Sequence, residues 1–414
     1  MLVLMSQLLP RLRVNLDFMP SPVEDRPGLL MRDGFHYTPA TLIVPPLLAA
    51  CLDLFDGQHT VRDMKDRLYE LTNDFEASGL ADHLVETLDT AGFLENETYF
   101  AIRDEAQRGF AEAPARYPAH AGTGYPGDAS QLKEVFDQYI TGDANNGPAK
   151  RPARLLGLAA PHVSPFGGWE SYQAAYRLLT PQDRDRTFVI LGTSHYGEPD
   201  KFGLTRKPYL TPYGSAQTDV SHVDRLEKDG GAAVQMEDYC HSFEHSIEFQ
   251  VAFLQHMCGP DIKILPILCG SYARSIYQGG KPEDNEEVKR FLGTLGDLHA
   301  REGDRLLWVL GIDMAHMGSR YEDEHPATAG QGGMVDVERR DRSRIEAMNA
   351  GEAEHFWSLV QDGHKRGDEL KWCGSSPVYT FMKAVPVARG QLLRYQQWNI
   401  DEQSVVSFAG IAYT

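Results

Sequence analysis

Three apolar runs in this chain end in residues that can do chemistry. LLGLAAPHVSP is apolar from Leu155 to Ala160 and then delivers Pro161 and His162. TFVILGTSHYG, residues 187 to 197, delivers His195 after Gly192-Thr193-Ser194, and LLWVLGIDMAHMG delivers Asp313 and His316 after Leu306 to Ile312. One imidazole at a strand end is ordinarily a hydrogen-bonded structural residue, but three such endings form a pattern. In open α/β sheets the carboxyl ends of the strands are where ligand sites assemble. Two histidines at neighbouring strand ends plus one anionic ligand would hold a metal ion and leave positions open for substrate or oxygen.

The anionic candidate is Cys373, in ELKWCGSSPVYTFMKAV, just before Gly374 and a helix expected to begin near Ser376-Pro377. A helix N-terminus lowers a thiol's pKa and favours the thiolate, the form that binds metal or attacks an electrophile. Read alone, Cys373 is more readily taken as one more small buried apolar residue. Cys240, Cys258 and Cys269 lack such a setting. SFEHSIEFQ adds Glu244, His245 and Glu248 at the start of a helix expected over 246–257. Helix capping accounts for the negative charge there, and the functional alternative makes Glu244 or His245 a substrate-facing or ligand-supporting group. His120, His222, His325 and His364 fall in polar loops and receive no role.

From about residue 152 the pattern alternates strand and helix. Strands are expected at 155–160, 187–191, 202–210, 262–268, 306–312 and 405–413, and helices at 169–179, 246–257, 286–299, 335–349, 353–361 and 377–384. In SIEFQVAFLQHM, Ile247, Val251 and Leu254 form one stripe and Phe249, Phe253 and Met257 an adjacent one, the wide apolar face of a helix packed on a sheet. The fold class is therefore α/β, a central sheet flanked by helices. Before it, residues 1–105 read as a small α+β winged-helix domain: extended pieces near Leu29–Arg32 and Phe35–Tyr37, helices from Pro46, Thr60 and Leu80, and ETYFAI as a wing strand. Residues 106–151, rich in Ala, Pro, Gly and Asp, read as linker and the start of the large domain, which occupies 152–414; QLKEVFDQYI within them has helical spacing.

The bounds agree with an ordinary globular protein. The 414 residues are 42% hydrophobic with net charge -19, which disfavours nucleic acid or an anionic membrane as partner. The first 110 residues hold 9 Lys and Arg against 18 Asp and Glu, so a protein or peptide suits the winged-helix domain better than DNA. The opening MLVLMSQLLPRLRVNL lacks a small-residue cleavage site, and no run reaches the length that spans a bilayer. Five scattered cysteines fit a reduced, cytoplasmic protein.

RYPAHAGTGYPGD, APHVSPFGGW, ILGTSHYG, LTPYGSAQTD, EHSIEFQVAFLQ, ILPILCG, GIDMAHMG and WCGSSPV occur in the order found in the Memo-like family, called AmmeMemoRadiSam system protein B in bacteria. Residues from about 116 to 414 resemble that family, whose fold is similar to the class III extradiol dioxygenases. The resemblance implies that His162, His195 and Cys373 are metal ligands, for Fe(II) or alternatively Cu, and that Asp313 and His316 are the Asp-x-x-His pair beside the metal. The acid–base role would then fall to His316, oriented by Asp313. Cys373 stands where the dioxygenases have a carboxylate, so ring cleavage is not implied. APHVSPFGG lacks the small Ala and the Tyr of the family's usual loop, which alters the pocket near His162. RPGLLMRDGFHYTPATL, LLAACLDLFDGQHTVRDMKDRL and LVETLDTAGFLEN resemble PqqD-like domains, which add an extended peptide to a sheet edge.

Three functions follow as expectations. The first is a metal-dependent oxidoreductase acting on a peptide or small substrate presented with help of the N-terminal domain. The second is a metal-binding interaction protein working with a radical SAM partner. The third is a hydrolase with Cys373 as nucleophile and His316 as base, which would need an oxyanion site.

Overall fold

The computed structural model describes residues 8–23, 25–142, 150–361 and 368–414. His364 and the first seven residues of the opening segment lie outside them. The chain divides into two compact units, Met1–Glu112 and Ala113–Thr414. No helix among the described residues is long and apolar enough to cross a membrane.

In the first unit β1 (Leu16–Pro20), β2 (Leu29–Asp33) and β3 (Thr41–Val44) form an antiparallel sheet in the order β1-β2-β3. Short helical turns at Pro46–Ala49 and Leu52–Leu54 lead to the helix Val61–Thr72, which opens with a Thr60/Asp63 capping box. A second helix, Gly79–Thr90, follows, and Met31, Val44, Phe55, Met64, Leu68, Leu84 and Leu88 share the core with it. Phe35–Tyr37 is a turn, not an extended piece. ETYFAI is not a strand either: it begins the helix Glu97–Glu112, where Asn96 Oδ1 accepts from the Tyr99 amide at 3.2 Å. The aromatic and β-branched residues that look strand-like are spaced for a helix, with Tyr99 and Phe110 buried. The sheet of this unit therefore lies wholly ahead of its longer helices.

The second unit begins with a segment tied down by Arg116 and the helix Ala129–Thr141, which contains the QLKEVFDQYI stretch expected to be helical. Its strands are β4 (Gly157–Ala160), β5 (Thr187–Thr193), β6 (Phe202–Leu204), β7 (Tyr209–Thr211), β8 (Gly214–Thr218), β9 (Val234–Met236), β10 (Lys263–Cys269), β11 (Leu306–Gly311), β12 (His316–Gly318), β13 (Gly390–Asp401) and β14 (Ser404–Tyr413). The main sheet runs β12-β14-β4-β11-β5-β10-β6-β9, with β13 paired to β14. The four strands β4, β11, β5 and β10 are parallel neighbours, and almost every residue in them is buried. Helices cover both faces of such strands, which is why their sequences are continuous apolar runs. The stretch expected as one strand over 202–210 splits into β6 and β7 around Lys207-Pro208.

The register of the parallel strands positions the site. His162, Asp313 and His195 each follow the last residue of their strand by two positions, at the ends of β4, β11 and β5. Helix His245–Cys258 crosses those ends at close range. Glycines permit the approach: a Cβ at Gly311 would lie 2.1 Å from the Ser246 carbonyl oxygen, and one at Gly192 would lie 2.6 Å from Ile247 Cγ1. Ser246 Oγ donates to the Thr193 carbonyl at 2.7 Å, and Gln250 Nε2 to that of Pro161 at 2.8 Å.

Candidate functional site

His162, His195 and Cys373 come together although 211 residues separate the first from the last. One ligand atom from each lies within 4.8 Å of the others. Cys373 Sγ is 3.3 Å from His162 Nε2. The Cys373 thiol precedes helix Ser375–Ala384, as its sequence setting requires. The His195 side chain is 27% exposed, so the cluster can be reached from solvent, while His162 is buried.

Both imidazoles are held from behind. His162 Nδ1 faces the Gly311 carbonyl oxygen at 2.9 Å, and because a carbonyl only accepts, Nδ1 carries the proton and Nε2 faces Cys373. His195 Nδ1 faces Glu244 Oε2 at 3.0 Å, and its backbone amide donates to the same oxygen at 3.0 Å. Acceptors on the far nitrogen orient imidazole ligands and raise their basicity in metal sites.

The charges reinforce one another. Burial would raise the Cys373 thiol, but the His162 and His316 imidazoles and hydrogen bonds from His162 and His195 outweigh it and bring it down to about 5. Burial disfavours the charged form of His162, yet Asp313 and Cys373 raise it to about 9. His195 is likewise raised, Glu244 overcoming the effect of burial, and Glu244 is driven well below its usual range by His195 in spite of its own burial. His245 goes the other way, to about 4, with burial the largest cause.

Glu244, His245, Asp313 and His316 all border this cluster, but not all in the expected roles. Glu244 supports His195 and caps helix His245–Cys258, accepting from the amides of His245 and Ser246. The His245 ring lies 4.9 Å from that of His195 and 5.1 Å from that of His162, centroid to centroid. His195, Glu244 and His245 form a second close group, but the bonds from His195, His245 and Ser246 already engage both Glu244 oxygens. The expectation that Asp313 orients His316 is corrected. Asp313 Oδ1 accepts from the His162 amide at 2.9 Å and Oδ2 lies 3.6 Å from His162 Nε2, whereas His316 Nδ1 faces the Met314 carbonyl oxygen at 2.9 Å. A three-residue spacing links Asp and His on a helix, but Asp313 to His316 is an extended turn leading into β12, and it sends the two side chains to different partners.

One supporting layer escaped the sequence reading. Arg116 is fully buried; Nε donates to the His241 carbonyl at 2.7 Å and Nη2 to that of Glu244 at 2.9 Å, fixing the turn that carries Glu244 and His245. Its ion-pair partner is Glu248, which also accepts from Tyr125 Oη and from the amides of Ala119 and His120. The available signal was an arginine inside the RYPAHAG motif, in a stretch otherwise read as linker.

The profile of the family described as Memo-like protein matches residues 116–412. A MEMO1 family protein of Aquifex aeolicus is 25% identical over 375 residues, 90% of this chain and 92% of its own length, an alignment that must reach into the first unit. A MEMO1 family protein of Pyrococcus horikoshii is 32% identical over 216 residues, 50% of this chain and 67% of its own. One from Methanosarcina barkeri is 25% identical over 302 residues, 72% of this chain and 98% of its own.

Proposed function

The chain belongs to the Memo-like protein family, and from that premise we propose that it holds a non-haem transition-metal ion, Fe(II) or Cu, on His162, His195 and Cys373 and serves as a metal-dependent oxidoreductase. The observation that carries this reading is the pairing of two imidazoles, each held at Nδ1 by a fixed acceptor, with a thiol whose pKa is about 5. The donor set fits: one soft thiolate and two imidazoles suit iron and copper. Such an ion would supply one-electron redox chemistry and Lewis acidity. The protein's own groups would do the rest. Gly311 and Glu244 orient the ligands, and His316, beside Tyr321 at a ring separation of 4.9 Å, would carry a proton to or from a substrate. The kinship to extradiol dioxygenases is part of this proposal, not a premise of it.

The substrate side of the proposal is a peptide or a small molecule brought by the first unit. β3 pairs with β2 on one side, and its residue Leu42 lines a groove with His83, Glu86, Thr87 and Thr90 of helix Gly79–Thr90. A strand edge beside a helix can accept an extended peptide through main-chain hydrogen bonds. A radical SAM protein is the partner to test under the interaction-protein reading. The free cysteines Cys51, Cys240, Cys258, Cys269 and Cys373 support a reducing, cytoplasmic setting.

Elemental analysis of protein purified without oxygen tests the reading, comparing wild type with His162→Ala, His195→Ala and Cys373→Ser. Near-stoichiometric iron or copper that disappears in all three variants is the expected result; a wild type that keeps no metal even after reconstitution rejects it. Oxygen consumption by the metal-loaded protein with a peptide then separates an enzyme from an interaction protein. The Cys373–His162 contact at 3.3 Å also favours a second reading, a thiolate nucleophile paired with imidazole. Metal protection of Cys373 against alkylation counts against that reading.

A further inference from the structure

Helix Gly333–Ala350 supplies no ligand to the cluster, yet it reaches the segment that carries Cys373 and the segment that carries His316. Asp341 is fully buried at its centre. Its Oδ1 accepts from Trp372 Nε1 at 2.6 Å, and Trp372 is the residue before Cys373. Its Oδ2 accepts from Ser407 Oγ at 2.6 Å and from Tyr395 Oη at 2.8 Å. Ser407 in turn is bound to the stretch between Asp313 and His316: its Oγ accepts from the Ala315 amide at 2.8 Å, its amide donates to the Ala315 carbonyl at 2.9 Å, and its carbonyl accepts from the Met314 amide at 2.8 Å.

A second residue of the same helix reinforces the first link. Arg344, one turn on, sits over the Trp372 ring with Cζ 5.1 Å from its centroid and forms a two-pronged pair with Asp368 at 2.7 and 2.9 Å. Asp368 then accepts from the amides of Leu370 and Trp372 at 3.0 and 3.1 Å. The two segments also meet directly, the His316 amide donating to the Leu370 carbonyl at 3.0 Å.

We infer that Asp341 is a positioning residue: its two oxygens join the Trp372–Cys373 turn to the Ala315–His316 strand, so that the thiol and the His316 imidazole are placed as one unit. A buried carboxylate with three donors is costly unless every bond is made. An apolar side chain would fill the space, but would not fix the direction of both segments. The inference rests on the metal site proposed above insofar as Cys373 is a ligand, and it extends that site to a helix that supplies none of its ligands.

The test uses the full-length protein, Co(II) as probe metal, and three variants: Asp341→Asn, Trp372→Phe and Tyr395→Phe. Asparagine cannot accept from all three donors, phenylalanine at 372 severs only the link to the Cys373 turn, and phenylalanine at 395 removes a partner of Asp341 outside both segments. Co(II) affinity and the thiolate-to-cobalt charge-transfer band are measured with the melting temperature of the metal-free protein. The expected result is a loss of about 10-fold or more in affinity, with a weakened band, for Asp341→Asn and Trp372→Phe. Tyr395→Phe binds as wild type even where its melting temperature falls. Wild-type affinity and band in both Asp341→Asn and Trp372→Phe overturn the inference and leave Asp341 a purely structural residue; Trp372→Phe alone decides if Asp341→Asn does not fold. A wild type that binds no Co(II) rejects the metal reading instead. The iodoacetamide alkylation rate of Cys373 then judges the inference: a change of about 5-fold or more in Trp372→Phe but not Tyr395→Phe sustains it, and equal rates overturn it.

Discussion

Glu244 Oε2 accepts twice from His195, from the ring Nδ1 and from the backbone amide, each at 3.0 Å. The carboxylate thus fixes the position of the residue as well as the rotation of its ring. It does so from the N-cap of helix His245–Cys258, whose own amides it also satisfies. Capping of the helix and support of His195, alternatives when the sequence is read alone, are one function of one side chain.

Replacing Glu244 by Gln keeps the shape but removes the charge that holds His195 protonated at Nδ1. Support of this kind is worth about 10- to 100-fold in metal affinity. Isothermal titration with Fe(II) under argon should show a loss in that range for Glu244→Gln, with one site per chain retained. An unchanged affinity would mean that His195 does not bind the ion.

The thiol supplies a second prediction, for metal-free protein. An ordinary cysteine has a pKa of about 8.5, whereas Cys373 lies at about 5, because the imidazoles of His162 and His316 outweigh the effect of burial. The thiolate is the reactive form, so alkylation of Cys373 by iodoacetamide should be nearly independent of pH above 6 and fall as pH drops through about 5. Peptide mapping of labelled protein over a pH series reads this directly. A rate still climbing between pH 7 and 9 would show that the imidazoles do not stabilise the thiolate.

The parts legible in the sequence were those with one dominant physical signature. The runs 155–160, 187–191 and 306–312 could be read as buried strands because both faces are covered, and the structure sets them side by side, with His162, His195 and Asp313 two positions beyond the strand ends. Cys373 was legible through the glycine and helix that follow it. Side-chain pairing was not: the direction in which Asp313 points depends on an extended turn between strands, and the turn brings it to His162. Arg116 and Asp341 were invisible for a related reason. A buried charge is recognised by its partners, and Glu248 lies 132 residues from Arg116, Trp372 31 residues from Asp341.

The close approach of helix His245–Cys258 makes the two strand-end glycines sensitive. Gly311→Ala would put a methyl 2.1 Å from the Ser246 carbonyl oxygen, a backbone atom that can move only with its helix. Overpacking of this kind costs about 1–3 kcal/mol. The shift would also draw Glu244 from His195, so Gly311→Ala should lower both the melting temperature and the metal affinity. Gly293→Ala, on the helix Glu286–Glu302 with nothing within 4 Å of the added methyl, should do neither. Calorimetry of both variants checks the pair.

The last prediction concerns acid stability and turns on Glu248. Burial alone would raise its pKa, but Arg116, His120 and the hydrogen bonds from Tyr125 and the His120 amide reverse that and hold it below the usual glutamate value. A carboxyl whose folded pKa is depressed contributes stability at pH values above its unfolded pKa, about 4.3, and loses it as pH falls through the folded value. Glu248→Gln leaves the buried Arg116 guanidinium without its counter-charge, a loss of about 3–5 kcal/mol at neutral pH. Protonation of the wild-type carboxyl creates the same defect. The gap in unfolding free energy between wild type and Glu248→Gln should therefore be largest near pH 7, hold down to about pH 4.5, and narrow steadily below it. Urea unfolding of both proteins between pH 3 and 7 measures that gap, and one that stays constant to pH 3 would assign the stabilisation to packing and not to the charge.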